Sequence, residues 1–376
     1  MINMDNYSIY VHIPFCKARC GYCAFSSSTN YSLVERYFAK LFEEMEYFSN
    51  KEVPIYTVYI GGGTPSSVDV NLLNELFVKL RLCYDLSQVK EISVECNPES
   101  VTEDLLRCLN SNGVNRLSFG LQSVNDATLK RIGRLHSYAQ FERALALAGQ
   151  QGFANINADL ILGLPEKEDD FYSSVEVVAR LPLQHVSIYA LELHKGTKLY
   201  DLCKSQYPFS DDELADMYDK AVQILSVHGF ERCEISNFAK AGFECLHNLN
   251  YWQEGRYMAF GASASGFVGD VRYTNPYGME DYLVCDTRKL RLDGQRISLR
   301  DQANEFVMLG LRLSRGVSLN EFRAKYGKDF FEFFTNASHL VDLGFLLVKD
   351  GSVCVPSDKL YVVNSILCEM LNFDEN

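Results

Sequence analysis

Apolar positions along the first half of the chain follow two alternating periods. Short apolar runs rich in β-branched and aromatic residues are separated by longer stretches in which apolar residues recur at helical spacing. The runs span residues 8–13, 54–60, 91–95, 116–119, 155–162 and 185–190, and helices are predicted at 31–48, 70–82, from 103, at 126–131, 138–149 and 168–180. Six strands that alternate with helices predict an α/β fold with a parallel sheet, most simply a partial or complete barrel.

Beyond residue 200 this alternation decays. The sequence predicts a helix at 211–228 capped by Ser210, a strand at 230–237, and an irregular or extended β segment at 239–275 that covers the cleft. Residues 298–371 predict a small domain with helices near 306–311, 319–326 and 330–343, followed by a hairpin of 345–348 and 352–355, an order similar to a winged helix. The expected domains are therefore 1–200 for the barrel core, 201–297 for its extension and 298–376 for the small domain.

The amino-acid composition indicates a globular protein without a membrane span. The chain has 376 residues, of which 47% are apolar and 23% charged, which is ordinary for a globular protein that stays in solution. No apolar run approaches the ~18 residues of a membrane span, and the first five residues lack the basic start and apolar core of a signal peptide. We therefore expect a cytoplasmic protein without a transmembrane segment.

The formal charge of -13, without a basic stripe, argues against a nucleic-acid partner. Individual basic residues remain able to bind a small anionic ligand, which is a separate question from net charge.

The most unusual chemistry lies just after the first predicted strand. Cys16, Cys20 and Cys23 place three thiols within eight residues. Thiolates select zinc, copper(I) or iron-sulfur clusters, and three of them would leave one iron of a 4Fe-4S cluster open. Zinc fits less well because no second pair of ligands follows at the usual distance, and a disulfide fits worst in a reducing compartment. Ordinary buried cysteines remain the alternative, as for the scattered cysteines elsewhere.

Other polar residues and glycines follow the later strands. In parallel barrels functional groups lie in the loops after the strand ends, so we expect these residues to line one polar cleft with the cysteines. Glycines let backbone approach a ligand closely, carboxylates accept from hydroxyls, and arginine pairs with a carboxylate in a two-pronged fork. The candidates are Tyr10, Tyr22, Gly62, Gly63, Thr64, Glu95, Gln122, Arg134 and Asp159.

The cysteine spacing resembles the signature of the radical S-adenosylmethionine (SAM) superfamily, a Cys-x-x-x-Cys-x-x-Cys loop after the first strand. The resemblance implies a partial (β/α)6 barrel in which Cys16, Cys20 and Cys23 hold a 4Fe-4S cluster and SAM chelates the open iron. It also implies that Gly62, Gly63 and Thr64 face the methionine end of SAM. Glu95 and Asp159 would accept from ribose hydroxyls, Arg134 would pair with a carboxylate, and Tyr10 and Tyr22 would flank the cofactor.

More narrowly, six motifs in order resemble the oxygen-independent coproporphyrinogen III oxidase group. They include the segments at 10–16, 61–65, 94–98, 118–123, 131–134 and 159–165. Two functions occur in this group. The dehydrogenases, which decarboxylate coproporphyrinogen III oxidatively in porphyrin biosynthesis, carry a further cysteine two positions after the third, where this chain has Phe25.

The segment His247-Asn-Leu-Asn-Tyr251-Trp252 resembles instead the His-Asn-x-x-Tyr-Trp motif of HemW-like heme chaperones. That resemblance implies heme as a ligand and respiratory hemoproteins as recipients. It makes His247 a candidate axial ligand and Tyr251 and Trp252 candidate porphyrin-facing surfaces, although a structural role for the motif, or a Met or Cys ligand elsewhere, stays open. The sequence leaves the oligomeric state open, with a homodimer as one option.

Overall fold

The computed structural model describes residues 7–204 and 207–371. All six predicted strands of the first half are present, together with one short additional strand that pairs with the second. Their bounds are β1 Tyr7–Ile13, β2 Asn50–Gly62, β3 Tyr84–Asp85, β4 Glu91–Cys96, β5 Arg116–Gln122, β6 Ile156–Leu162 and β7 His185–Ala190. The six long strands pair in parallel in the order β1-β2-β4-β5-β6-β7. The prediction of a parallel α/β sheet is thus confirmed.

Helices follow the strands as the apolar spacing predicts. They are α1 Val34–Tyr47, α2 Val70–Cys83, α3 Glu103–Ser111, α4 Asp126–Arg131, α5 Tyr138–Gln150 and α6 Glu168–Arg180, with single 3-10 turns at Tyr31–Leu33, Pro65–Ser67 and Pro98–Ser100. Capping residues in the sequence determine where several helices begin. Thr102 accepts a hydrogen bond from Leu105 N at the start of α3, and Ser137 forms a capping box with Gln140 at the start of α5. The apolar faces of the helices cover the sheet and share one large core with it.

The segment after the sixth parallel strand is more regular than its composition predicts. It contains α7 Lys198–Cys203, α8 Asp211–Val227, β8 Glu231–Arg232, β9 Asn237–Ala239, α9 Leu246–Trp252, β10 Arg256–Phe260, β11 Ser265–Val268, β12 Val271–Thr274, α10 Met279–Val284, a 3-10 turn at Thr287–Lys289 and β13 Gln295–Arg296. Ser210 caps α8 as predicted. The predicted strand at 230–237 is instead two short antiparallel strands that continue the sheet beyond β7.

The prediction of an irregular or extended β segment at 239–275 is right about its strands and missed a helix. This segment forms a helix, α9, and then β10, which pairs in parallel with β1 as a seventh parallel strand. β11, β12 and β13 extend the sheet in antiparallel order from β10. Among the described residues the sheet runs from β13 to β8 without closing, so the barrel is partial.

The last part of the chain packs around a second apolar core. It comprises α11 Leu299–Gly310, β14 Val317–Ser318, α12 Leu319–Tyr326, α13 Phe330–Phe333, α14 Ala337–Asp342, β15 Leu347–Lys349, β16 Ser352–Cys354, a 3-10 segment Ser357–Val362 and α15 Val363–Met370. The predicted hairpin is present as β15 and β16, and β14 adds a third strand. The single helix predicted at 330–343 is broken in two after Phe333.

Two predictions reach beyond the described part of the chain. The expected domain bounds include residues 1–6, 205–206 and 372–376, and the N-terminal segment considered for a signal peptide also lies outside the described residues. The division at 200 and 297 stays a prediction. Among the residues that the structure describes, no helix has both the length and the apolar character needed to cross a membrane.

Candidate functional site

The carboxyl ends of the parallel strands surround a cavity of about 540 Å³, here called the cysteine cavity. The loop after β1 contributes the three cysteines and Tyr22, the ends of β2, β4, β5 and β6 contribute other polar groups, and Arg134 comes from the loop after α4. The predicted site residues that line it are Cys16, Cys20, Tyr22, Cys23, Gly62, Gly63, Thr64, Glu95, Gln122, Arg134 and Asp159. The structure therefore brings together the residues that the strand order predicted as neighbours.

The three thiols border this one cavity, and two of them accept hydrogen bonds. The Thr64 hydroxyl donates to Cys16 Sγ at 3.5 Å, and Arg134 Nη1 donates to Cys20 Sγ at 3.5 Å. Burial raises the pKa of Cys16 and of Cys23. Within the described ranges no group of three or more His, Cys, Asp or Glu side chains is placed to hold a single metal ion.

A cluster takes one thiolate per iron around its periphery, and donors directed at sulfur stabilise thiolate ligands.

The turn after β2 approaches the start of the cysteine loop very closely. Gly63 N donates to Ile13 O at 2.9 Å and Thr64 N donates to Phe15 O at 2.8 Å. A Cβ on Gly63 would lie 2.8 Å from the backbone N and O of Phe15, and one on Gly62, whose φ is +115°, would lie 2.6 Å from the His12 ring. Only glycine fits both positions, so the two loops are held against each other.

The two predicted carboxylates of the cavity, Glu95 and Asp159, have protein partners. Glu95 accepts from the Tyr59 hydroxyl at 2.9 Å and from Gly62 N at 3.0 Å. Burial raises the pKa of Glu95 to about 7, even though the Tyr59 hydrogen bond lowers it. Asp159 accepts from Asn157 Nδ2 at 2.7 Å, and burial raises its pKa as well. Below pH 7 the Glu95 carboxyl is therefore largely protonated, and it makes the cavity less negative than the sequence indicates.

Arg134 reaches across the cavity floor to the cysteine loop. Its Nη2 donates to Asn97 Oδ1 at 2.7 Å and to Gly120 O at 2.5 Å, while its buried Nε has no partner among the described residues. The neighbouring Gln122 has a φ of +75°, a strained backbone conformation of the kind found at binding sites. Tyr22 packs on a small apolar cluster of Ile132, Ile161 and Leu164 below the loop.

A second cavity, of about 660 Å³, adjoins the first. We call it the aromatic cavity because Tyr10, Tyr251, Tyr257 and Phe267 line it, and Tyr10 lies here instead of in the cysteine cavity. The two cavities share Ala24 and Phe25, and the Phe25 side chain is 71% exposed between them.

Sequence reasoning missed most of the aromatic cavity. Its wall includes Arg272, whose two Nη atoms donate to Glu305 Oε1 and Oε2 at 2.6 and 2.7 Å. His12 also lines it, and its ring contacts the Tyr10 hydroxyl at 2.9 Å. Arg272 and Glu305 come from a short strand and from α11, which carry no recognisable motif. Of the cavity lining, Tyr10 and His12 stood in one motif and Tyr251 in another.

The residues predicted for heme do not share one surface. His247 is 1% exposed, and both its ring nitrogens are engaged: Nδ1 with the Thr57 hydroxyl at 2.7 Å and Nε2 with the Tyr251 hydroxyl at 2.8 Å. Burial lowers its pKa to about 3, so the imidazole is neutral. Tyr251 lines the aromatic cavity, whereas Trp252 lines a different cavity of about 360 Å³ beside α12. His247 thus supports Tyr251 from behind the cavity wall.

Comparison with known proteins gives consistent results. The radical SAM superfamily matches residues 10–178, and the HemN C-terminal domain matches residues 297–358. The heme chaperone HemW of Bacillus subtilis is 36% identical over 335 residues, covering 85% of this chain and 87% of that protein. The heme chaperone HemW of Lactococcus lactis is 35% identical over 324 residues, covering 85% of each.

Among solved structures, the coproporphyrinogen III oxidase HemN from Escherichia coli, described as a radical SAM enzyme, superposes with a TM-score of 0.85. The match covers 96% of this chain and 89% of HemN at 22% identity, so it establishes the shared fold.

Proposed function

Because this chain belongs to the radical SAM superfamily and, within it, to the family of the HemW heme chaperones, we propose that it binds heme and passes it to other proteins. The observation that carries this proposal is the pair of adjoining cavities, one bordered by three cysteines and the other walled by aromatic side chains. Respiratory hemoproteins are the recipients we propose, in a cytoplasmic setting.

The cysteine cavity is the proposed site of a 4Fe-4S cluster and SAM. Cys16, Cys20 and Cys23 would hold the cluster, and the Gly62-Gly63-Thr64 turn, Glu95, Gln122, Asp159, Arg134 and Tyr22 would surround SAM. A cluster bound there would supply one-electron chemistry at an open iron. The chain's own contribution is to orient the thiols, to direct Thr64 and Arg134 at two sulfurs, and to keep the carboxyl of Glu95, whose pKa is raised to about 7, largely protonated below that pH.

The aromatic cavity is the proposed site of heme. A porphyrin needs flat apolar surfaces, and Tyr257 and Phe267 supply these around one space. Arg272, which pairs with Glu305, lies in the same wall. The cavity volume of about 660 Å³ lies within the range of small-molecule sites. Tyr10 and Tyr251 belong to this site, and His247 contributes by holding Tyr251.

The competing function is oxidative decarboxylation of coproporphyrinogen III by a radical SAM dehydrogenase. Both functions place a tetrapyrrole beside the cysteine cavity. Phe25 favours the chaperone, because it stands where the dehydrogenases have an additional cysteine and it lies between the two cavities.

A paired anaerobic experiment tests the proposal. The reconstituted chain is titrated with hemin, and in parallel it is incubated with coproporphyrinogen III, SAM and reductant. In the titration we expect hemin to give a saturable change in the Soret band. In the parallel incubation we expect no vinyl-group formation from coproporphyrinogen III beyond one equivalent per chain. Multiple turnovers of coproporphyrinogen III would instead establish the dehydrogenase.

The matched control replaces Cys16, Cys20 and Cys23 with Ala, which should abolish the iron-sulfide absorption. Retention of four irons per chain would contradict the cluster assignment.

A further inference from the structure

A single side-chain amide connects the hydrogen-bond donors of two cysteine sulfurs. Asn97 Oδ1 accepts from Arg134 Nη2 at 2.7 Å, and Asn97 Nδ2 donates to Thr64 Oγ1 at 3.1 Å. Arg134 in turn donates to Cys20 Sγ, and Thr64 donates to Cys16 Sγ, each at 3.5 Å. Asn97 therefore lies at the centre of a network that ends on two of the three thiols.

The chemistry of the partners fixes the orientation of this amide. Arginine has donors only, so the oxygen of Asn97 must face Arg134 and its nitrogen must face Thr64. Because Thr64 Oγ1 accepts from Asn97, its own hydrogen is directed away from the amide and toward Cys16 Sγ. A flipped amide would place two donors against each other and break both connections.

The backbone around Asn97 holds the side chain in this position. Asn97 N donates to Ser66 Oγ at 3.0 Å, and Asn97 O accepts from Ser100 N at 3.0 Å and from Ser100 Oγ at 2.8 Å. Pro98 follows directly and restricts Asn97 to the extended conformation that it has, with φ -96° and ψ 137°. The backbone that carries the amide is thus held by its own loop and by Ser66, and it does not depend on the cysteines for its place.

We propose that Asn97 is a positioning residue that orients Thr64 and Arg134 toward Cys16 and Cys20 and thereby sets the reduction potential of the bound cluster. This inference rests on the proposed function, because it requires the cluster. Hydrogen bonds to cluster sulfurs stabilise the reduced state, which carries one more negative charge. Removing the orienting amide makes the reduction potential more negative.

The test compares reduction potentials of reconstituted variants without SAM, measured by anaerobic titration and followed by electron paramagnetic resonance. Asn97→Leu keeps the size of the side chain and removes its hydrogen bonds with Arg134 and Thr64, together with a third from Asn97 Nδ2 to Glu99 Oε1 at 3.3 Å. We expect a full complement of iron, a more negative potential and an altered spectrum. Asn97→Ser, which is too short to bridge, provides a second variant with the same expected direction if the leucine chain loads poorly.

A double-mutant cycle identifies the route of the effect. Thr64→Val removes the donor to Cys16 and the acceptor of Asn97 Nδ2, and it leaves the Arg134 donor to Cys20 in place. It should lower the potential in the native chain and lower it less in the Asn97→Leu background. Asn115→Leu is the matched control: Asn115 also uses both ends of its amide, with Ile92 N and Lys90 O, but at the opposite end of β4. Its potential should equal that of the native chain.

Two results would overturn the inference. An unchanged potential in fully loaded Asn97→Leu and Asn97→Ser chains would contradict it while leaving the cluster in place. An equal shift in Asn115→Leu would show that general loosening of the sheet is responsible. Failure of the native chain itself to load a cluster would remove the proposed function as well, so the two failures are distinguishable by the iron content of the native protein.

Discussion

Individual polar side chains at the two cavities are held by specific protein partners, and this determines which of them can contact a ligand directly. His247 has neither ring nitrogen free, and Glu95 uses both oxygens. Asn97, to which the sequence analysis assigned no role, is connected to two cysteine sulfurs through Thr64 and Arg134. Residue type and motif position predicted where these groups lie, but the partners of each atom depend on side chains distant in the sequence.

Replacing His247 tests whether it is the iron ligand or the support of Tyr251. His247→Gln should leave the wavelength of the hemin Soret maximum unchanged and weaken hemin binding by about fivefold, the worth of one hydrogen bond of about 1 kcal/mol. Tyr251→Phe, which loses the same hydrogen bond, is the control and should give a similar loss. A displaced Soret maximum in the glutamine variant alone would identify His247 as the ligand.

The raised pKa of Glu95 gives the metal-free chain a pH dependence. The pKa of this carboxyl is about 7 in the folded chain and 4.5 for a glutamate free of such burial, so between these values the folded state binds a proton that the unfolded state has lost. The contribution of Glu95 to stability must therefore fall as pH rises from about 4.5 to about 7, by at most ~1.4 kcal/mol per pH unit. Urea unfolding of native and Glu95→Gln chains at several pH values measures this. Equal slopes for the two chains would refute the shifted pKa.

At the scale of elements, close approach of the β2 turn to the cysteine loop organises the site. Gly63→Ala would place a Cβ 2.8 Å from the backbone of Phe15, and this backbone has little room to move. We expect a loss of ~2 kcal/mol or more in unfolding free energy, together with poor cluster loading. Gly149→Ala in α5, where a Cβ meets nothing within 4 Å, is the control and should be neutral or stabilising by up to ~1 kcal/mol. A Gly63 variant as stable as the control would contradict the packing argument.

Helices and strands whose apolar residues recur at a regular spacing could be predicted from the sequence. Those in segments without such a spacing could not. The parallel strands and their helices followed from apolar spacing. The helix α9 and the exact bounds of the strand β10 did not, because the glycines, small residues and polar residues of 239–275 obscure both periods. Tertiary pairing of β10 with β1, which the sequence does not encode locally, makes that strand regular.

At the scale of the whole molecule, the order of parallel strands explains why the cysteine cavity could be predicted and the aromatic cavity could not. Carboxyl ends of successive parallel strands meet at one rim, so residues after each strand were expected together. The aromatic cavity combines β1, the loop after the cysteines, the antiparallel strands beyond β10 and the helix α11. No rule of sequence spacing connects these segments.

The most direct test of heme binding in the aromatic cavity is a hemin titration that distinguishes this cavity from the rest of the surface. Ser265 lines the cavity from an exposed position, so Ser265→Trp fills it without disturbing the core, and Ser265→Ala is the matched control. We predict saturable binding of one hemin by the native and alanine chains, and binding at least about tenfold weaker by the tryptophan chain, a difference of ~1.4 kcal/mol. Absence of saturable binding by the native chain, or equal affinity in all three chains, would contradict the assignment.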